Sequence, residues 1–297
     1  MDTLRWQKAL RFVLLTFLFS WGLAALFILL NRDSPVMPYT ALAVVYMFMP
    51  MLAAIILTKI KDKGSLKRLG LSFKLNRYFV LAWLFPVILL FITIGINLLF
   101  PGVNYDPSLE GIIERTTSLL SEGARQMALS QLEQYPIHPF WLGLISGLLA
   151  GVTVNALAAF GEEYGWRGYL LNVLEPLGFW KASLIIGLIW GIWHAPMILF
   201  FGHNYPVHRL AGVGMMVIFC ILLSFFHTYV RLKSGSVIAA SILHGTLNAL
   251  AGLPLLVIQG GNELTNGLTG LAGFIALFLL MIPLIWACRK PLQKTQM

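Results

Sequence analysis

Gly161-Glu162-Glu163-Tyr164-Gly165-Trp166-Arg167-Gly168-Tyr169 sets two adjacent carboxylates and an arginine inside a chain otherwise built for lipid. Of its 297 residues only 11% are charged and 58% are hydrophobic, and the mean hydropathy is +0.80. A soluble domain runs nearer about 45–50% apolar and about 25% charged. A charge at the centre of a membrane helix costs roughly 2.5–3.5 kcal/mol on insertion scales. Such residues persist when they pair, face a wet cavity or serve a function. The stretch therefore belongs to an all-α polytopic membrane bundle, and it must be accounted for there.

Within the stretch, helical geometry separates the two acids. Glu163 and Arg167 are four residues apart with the acid first, the favoured order for an ion pair on one helix face. Glu162 is rotated about 100° from Glu163, and its own neighbour four residues on is Trp166, which cannot neutralise it. The spacing predicts a structural Glu163–Arg167 pair and a Glu162 left free. Ala158, Gly161, Gly165 and Gly168 fall on one face as a small-residue stripe, of the kind that lets another helix approach closely.

Outward from this point, apolar runs of spanning length occur near 12–30, 38–58, 78–100, 140–160, 181–201, 210–230, 235–255 and 269–287. About 20 residues cross a bilayer, so the reading is about eight transmembrane helices over a single integral membrane domain, 1–297. The helix carrying the acids is expected to continue to about Val173, ahead of Glu175-Pro176. Arg5, Lys8 and Arg11 precede the first run, which is too long for a signal-peptide core. Lys59, Lys61, Lys63, Lys67 and Arg68 follow the second, with Lys74 and Arg77 close behind. By the positive-inside rule the 59–77 loop is cytoplasmic. Arg231 with Lys233, and Arg289, Lys290 and Lys294, agree, and both termini are then cytoplasmic. The net charge of +9 is thus explained by topology, and no nucleic-acid partner is expected. Residues 103–138 carry Asp106, Glu110, Glu114, Glu122 and Glu133 against Arg115 and Arg125, and are bounded by Pro136 and Pro139. They read as an extracytoplasmic amphipathic insertion, able to lie in the interface over the mouth of a site. Cys220 and Cys288 sit in or beside apolar runs and form neither a disulfide framework nor a CxxC metal motif.

Two further polar pairs lie in later spans. Trp190 stands one turn before His194, and His244 shares a helix face with Asn248. Glu162, His194, His244 and Asn248, in three separate spans, would each need its own partner if they did not share one site. Such a set suits hydrolysis: a carboxylate as base for a water, an imidazole sharing that water, and a His–Asn pair donating to an oxyanion. Glu162, His194 and His244 equally suit a divalent metal, since a Glu and two His form a catalytic zinc set. The spacing is not the local HExxH form, so no cofactor is certain and zinc stays an alternative. His203 and His208 read as a surface turn, His138 as a span entrance, and His227 as lacking a polar companion.

The order Glu162-Glu163-x-x-x-Arg167, Trp190-x-x-x-His194, His244-x-x-x-Asn248 resembles the CPBP family. These are the CAAX proteases and bacteriocin-processing enzymes, intramembrane proteases related to the Ras-converting CAAX protease. The motifs fall within 161–250, the expected catalytic core. The resemblance implies an eight-helix bundle with its site inside the bilayer and open toward the cytoplasmic side; the compact size of the chain points to a prokaryotic inner membrane. By this likeness Glu162 is the base and His194 its partner on the water. His244 and Asn248 hold the oxyanion, while Glu163, Arg167 and Trp190 support the structure. The substrate would be a membrane-embedded or lipidated protein or peptide. A non-catalytic scaffold or bacteriocin-immunity protein could use the same pocket for binding. A transporter finds little support, because neither inverted halves nor paired broken helices are evident.

Overall fold

The computed structural model describes residues 2–31, 38–108, 127 and 136–288. The described residues are mostly helical: α1 (Asp2–Leu30), α2 (Tyr39–Ile56), α3 (Arg77–Asn97), α4 (Pro139–Gly151), α5 (Val154–Glu163), α6 (Phe179–Trp193), α7 (Ala195–Phe201), α8 (Arg209–Ser234), α9 (Val237–Leu250) and α10 (Leu271–Ala287). In hydrocarbon each backbone polar group must be satisfied within its own segment, which leaves the helix as the solution for these runs. Helix starts follow local chemistry. The Asn76 side chain accepts from the Tyr78 N–H at 3.0 Å and Ser236 Oγ from the Ile238 N–H at 3.1 Å, so each relieves an orphan donor of a first turn. His138 caps α4 in the same way, accepting from Phe140 N–H at 3.1 Å.

Among the described residues, six helical segments are long and apolar enough to cross a membrane: Thr3–Leu30, Tyr39–Lys61, Arg77–Asn97, Phe179–Phe201, Arg209–Ser234 and Val237–Leu256. The expected fourth span is a bent pair, Pro139–Gly151 and Val154–Leu177, meeting at 52°, and counts as a seventh if taken as one crossing. The expected eighth is Leu271–Ala287, which is apolar but only 17 residues long. The bend falls at Val152-Thr153, where Thr153 has φ −121° and ψ −105°. The expected insertion at 103–138 lies largely outside the described residues. Of its beginning, Asn104–Tyr105 pairs antiparallel with Ile258–Gln259 as a two-stranded ribbon, β1 and β2.

The small-residue stripe packs as its spacing implies. A Cβ on Gly161 would lie 2.6 Å from the Met47 carbonyl oxygen, and one on Gly165 2.5 Å from Pro50 Cβ. The backbone of the acidic stretch thus rests directly on α2. From the opposite side Gly245 brings α9 against α5, since a Cβ there would meet the Ala156 nitrogen at 2.5 Å. Two close approaches hold the acid-bearing helix between α2 and α9.

Candidate active site

The helix begun as α5 does not end at the acids. It passes into a π-helical segment, Tyr164–Leu170, then an α turn, Leu171–Leu174, and a 3-10 turn, Glu175–Leu177. The continuation to about Val173 is therefore found, and with α5 beginning only at Val154 the acids sit midway along the bent pair. Single π segments inside helices are rare and cluster at functional sites. All seven residues of this one are buried.

Glu163 is the hub of the polar cluster. Arg167 Nη1 donates to its Oε1 at 2.9 Å, and both side chains are fully buried. The same oxygen lies 2.9 Å from His244 Nδ1 and 3.8 Å from His227 Nε2. The expected ion pair is present, but Glu163 does more than pair with arginine, because it also orients His244. Arg167 lies over the Trp190 ring with its guanidinium carbon 4.5 Å from the centroid. That places a planar cation on an aromatic face where no water is available to it.

Glu162 points elsewhere. Its Oε2 accepts from Trp190 Nε1 at 2.7 Å, and its other oxygen has no hydrogen bond among the described residues. His194 Nδ1 lies 2.8 Å from the Trp190 carbonyl. A carbonyl only accepts, so this nitrogen carries the proton and Nε2 is left as the ring's acceptor. Trp190 thereby fixes both Glu162 and His194, one with its indole and one with its backbone. Glu162, Trp190, His194, His244 and Asn248 all line one cavity of about 240 Å³. Asn248, one turn beyond His244, is exposed.

Two histidines outside the expected set belong here. His227, which has no polar companion on its own span, packs edge-on against Trp190 and His244, with centroids at 5.5 and 5.7 Å, and faces Glu163. Its companion lies in another span, 64 positions away in sequence, where no helical spacing could reveal it. His203, read as part of a surface turn, stacks on His194 at 6.4 Å with rings 7° from parallel, and shares a 2.9 Å hydrogen bond with the Tyr39 hydroxyl. It too lines the cavity.

Glu163, His227 and His244 form a cluster able to chelate a divalent metal, with one ligand atom from each lying within 4.8 Å of the others. The donors fit such an ion: Glu163 Oε2 and His227 Nε2 are buried without any hydrogen-bond partner, and a Glu/His₂ set is one that zinc accepts. The trio differs from the Glu162, His194 and His244 expected from sequence. Glu162 and His194 are instead turned toward Trp190.

Residues 136–250 match the family described as Type II CAAX prenyl endopeptidase Rce1-like. Over 98 residues the chain is 35% identical to CAAX prenyl protease 2 of Methanococcus maripaludis, a stretch covering 31% of this chain and 36% of that relative. The chain thus spans about a third of the length of the curated relative it matches.

Proposed function

This chain belongs to the CPBP/Rce1-like CAAX protease family of membrane proteins, and on that premise we propose that it is an intramembrane endopeptidase. It hydrolyses a peptide bond of a membrane-associated or lipidated protein or peptide. The observation that carries the proposal is the state of Glu162. One oxygen is held by Trp190 and the other is unpartnered, in a cavity shared with three histidines, His194, His203 and His244.

The chemistry follows from which atoms remain free. A water in the cavity gives its proton to the unpartnered oxygen of Glu162 while His194 Nε2 accepts its second hydrogen and orients it. The water oxygen attacks the peptide carbonyl carbon. His244 holds one nitrogen against Glu163 and presents Nε2 to the cavity. As an imidazolium it donates from that nitrogen, together with the Asn248 amide, to the developing oxyanion. The proton held by Glu162 then passes to the leaving amine as the C–N bond breaks. The charges balance: two carboxylates face Arg167 and the His244 imidazolium, so the buried set is neutral and tolerable at membrane depth. Were a divalent ion held by Glu163, His227 and His244 instead, His244 would be a neutral ligand and the ion would supply Lewis-acid polarisation of a carbonyl in place of the imidazolium.

The test compares protein N-termini in cells carrying the wild type, Glu162→Gln or no copy, with free amines labelled and sequenced by mass spectrometry. N-termini found only with the wild type are the expected result. Identical sets for wild type and Glu162→Gln, with a phenotype distinguishing both from the deletion, would instead make the protein a scaffold or immunity protein.

A further inference from the structure

The cavity and the basic residues lie at opposite ends of the bundle. Lys8 of α1 pairs with Asp62 at 3.0 Å, Val237 N–H donates to the Gly70 carbonyl at 2.9 Å, and Asn76 Nδ2 donates to the Ser234 carbonyl at 3.0 Å. These contacts gather the start of α1, the 57–77 connection and the α8–α9 turn at one end. At the other, Tyr39 meets His203, Tyr205 hydroxyl donates to the Thr269 carbonyl at 2.7 Å, and β1 pairs with β2. The cavity reaches this second end, where His203, Asn204, Leu268 and Thr269 line it. None of its lining residues comes from 57–77 or from the α8–α9 turn.

Lysine and arginine are divided unevenly between the two ends. Among the described residues only Arg209 stands at the cavity end and Arg167 lies within the bundle, whereas Arg5, Lys8 and Arg11 at the start of α1, the basic residues of the 59–77 connection, Lys181 at the start of α6, and Arg231 with Lys233 at the end of α8 lie at the basic end. Orientation follows this asymmetry, with Asp and Glu contributing little. A cytoplasmic 59–77 loop and a cytoplasmic opening, both expected from the sequence, are therefore incompatible for this cavity. The charge distribution belongs to this chain itself, so the opening is the expectation that yields.

We infer that the site is entered from the extracytoplasmic side, and that its substrate is an apolar peptide segment of an exported or outer-leaflet protein. This rests on the proteolytic reading for the chemistry but not for the orientation. The lining suits such an occupant. Met47, Met197, Met216, Phe219 and Leu247 surround the polar atoms, and methionines adapt to side chains of differing shape. The volume of about 240 Å³ is below the roughly 300–1,000 Å³ of pockets that enclose a whole drug-sized ligand. A short stretch of chain inserted from the rim fits it.

The test uses the full chain with Cys220 and Cys288 replaced by alanine and one cysteine restored at a time. Asn204→Cys stands at the rim, Ala43→Cys inside the cavity and Ser65→Cys in the basic connection. A charged, membrane-impermeant methanethiosulfonate is added to spheroplasts before or after permeabilisation, and each variant's folding is checked by size-exclusion in detergent. The expected result is labelling of Asn204→Cys and Ala43→Cys in intact spheroplasts at least tenfold above Ser65→Cys, which labels only after permeabilisation. The reverse pattern overturns the orientation. Labelling of Asn204→Cys with Ala43→Cys reached only after permeabilisation overturns the opening. No turnover is needed for any readout, so failure of the proteolytic reading, seen in the N-terminal comparison, leaves this result standing.

Discussion

Glu162 and Glu163 are neighbours in sequence, yet replacing each by glutamine should have opposite consequences. Glu163 accepts from Arg167 and faces His244 and His227, all within a fully buried cluster. Glutamine at 163 keeps an acceptor oxygen but removes the charge, leaving the Arg167 guanidinium unbalanced where water cannot reach it. Breaking a buried pair in this way costs about 3–5 kcal/mol. At a few degrees per kcal/mol for a chain of this size, the midpoint should fall on the order of 10 °C. Glu162→Gln keeps its bond to Trp190 Nε1, because the amide oxygen also accepts, and leaves the midpoint within about 2 °C by the same conversion. It removes the base, at a cost of about 10²–10⁴ in turnover. The assay is thermal unfolding in detergent followed by size-exclusion, paired with cleavage of a substrate found through the N-terminal comparison. A Glu162→Gln midpoint as low as that of Glu163→Gln, or an unaltered Glu163→Gln protein, would refute the division of labour.

Trp190→Phe removes the indole donor and leaves Glu162 Oε2 buried without a partner. Turnover should fall at least tenfold, with a stability loss of about 1–3 kcal/mol, and an unchanged rate would dissociate Trp190 from the base. Gly165→Ala drives a methyl group into Pro50 and should cost about 1–3 kcal/mol through overpacking, measured by the same unfolding assay. Zinc added to the apoprotein and followed by calorimetry should bind with an affinity at least tenfold weaker in His227→Leu; wild type that takes up no zinc would confine the cluster to ion pairing. At the cavity end, Glu263 accepts from the backbone N–H groups of Val207 and His208 and contacts His208 Nδ1 at 2.9 Å. Partial burial pushes its carboxyl up, but the hydrogen bonds outweigh this and hold it below the usual carboxylate range. A depressed folded value contributes stability that is fully present above the unfolded value, about 4.3, and is lost as pH falls through the folded one. Wild type should therefore lose its advantage over Glu263→Gln between about pH 5 and pH 3, and a constant difference across that window would remove Glu263 from the account.

Features carried by a single helix were legible in the sequence. The Glu163–Arg167 pair, the separation of Glu162 from it, the Trp190–His194 turn and the glycine stripe all follow from 3.6 residues per turn. Features that depend on two helices meeting were not. His227 needs Glu163 opposite it, and His203 needs α7 to end at Gly202 so that the loop folds back toward His194. The bend in the fourth span left little trace: Gly151-Val152-Thr153 carries neither proline nor a charge. Apolar content alone marked Leu271–Ala287 as a span of ordinary length, although its helix is 17 residues.

The π segment begins directly after the two acids and carries Arg167, the partner of one of them. Here the chain widens at Tyr164–Leu170 while Gly161, Gly165 and Gly168 remain against α2 and Leu69. The small-residue face stays in register with its partners as the polar face turns inward to α8 and α9. Arg167 is then carried over the Trp190 ring and still reaches Glu163, so one cation supports the residue that holds both Glu162 and His194. Arg167→Lys tests this directly. Lysine keeps the charge but has no planar group to lie on the indole while bonding the carboxylate. Expression should survive better than in Arg167→Ala, while turnover falls at least tenfold because Trp190 is no longer pressed into place. Full activity in Arg167→Lys would mean that charge alone suffices and that the stacking on Trp190 does not position the base.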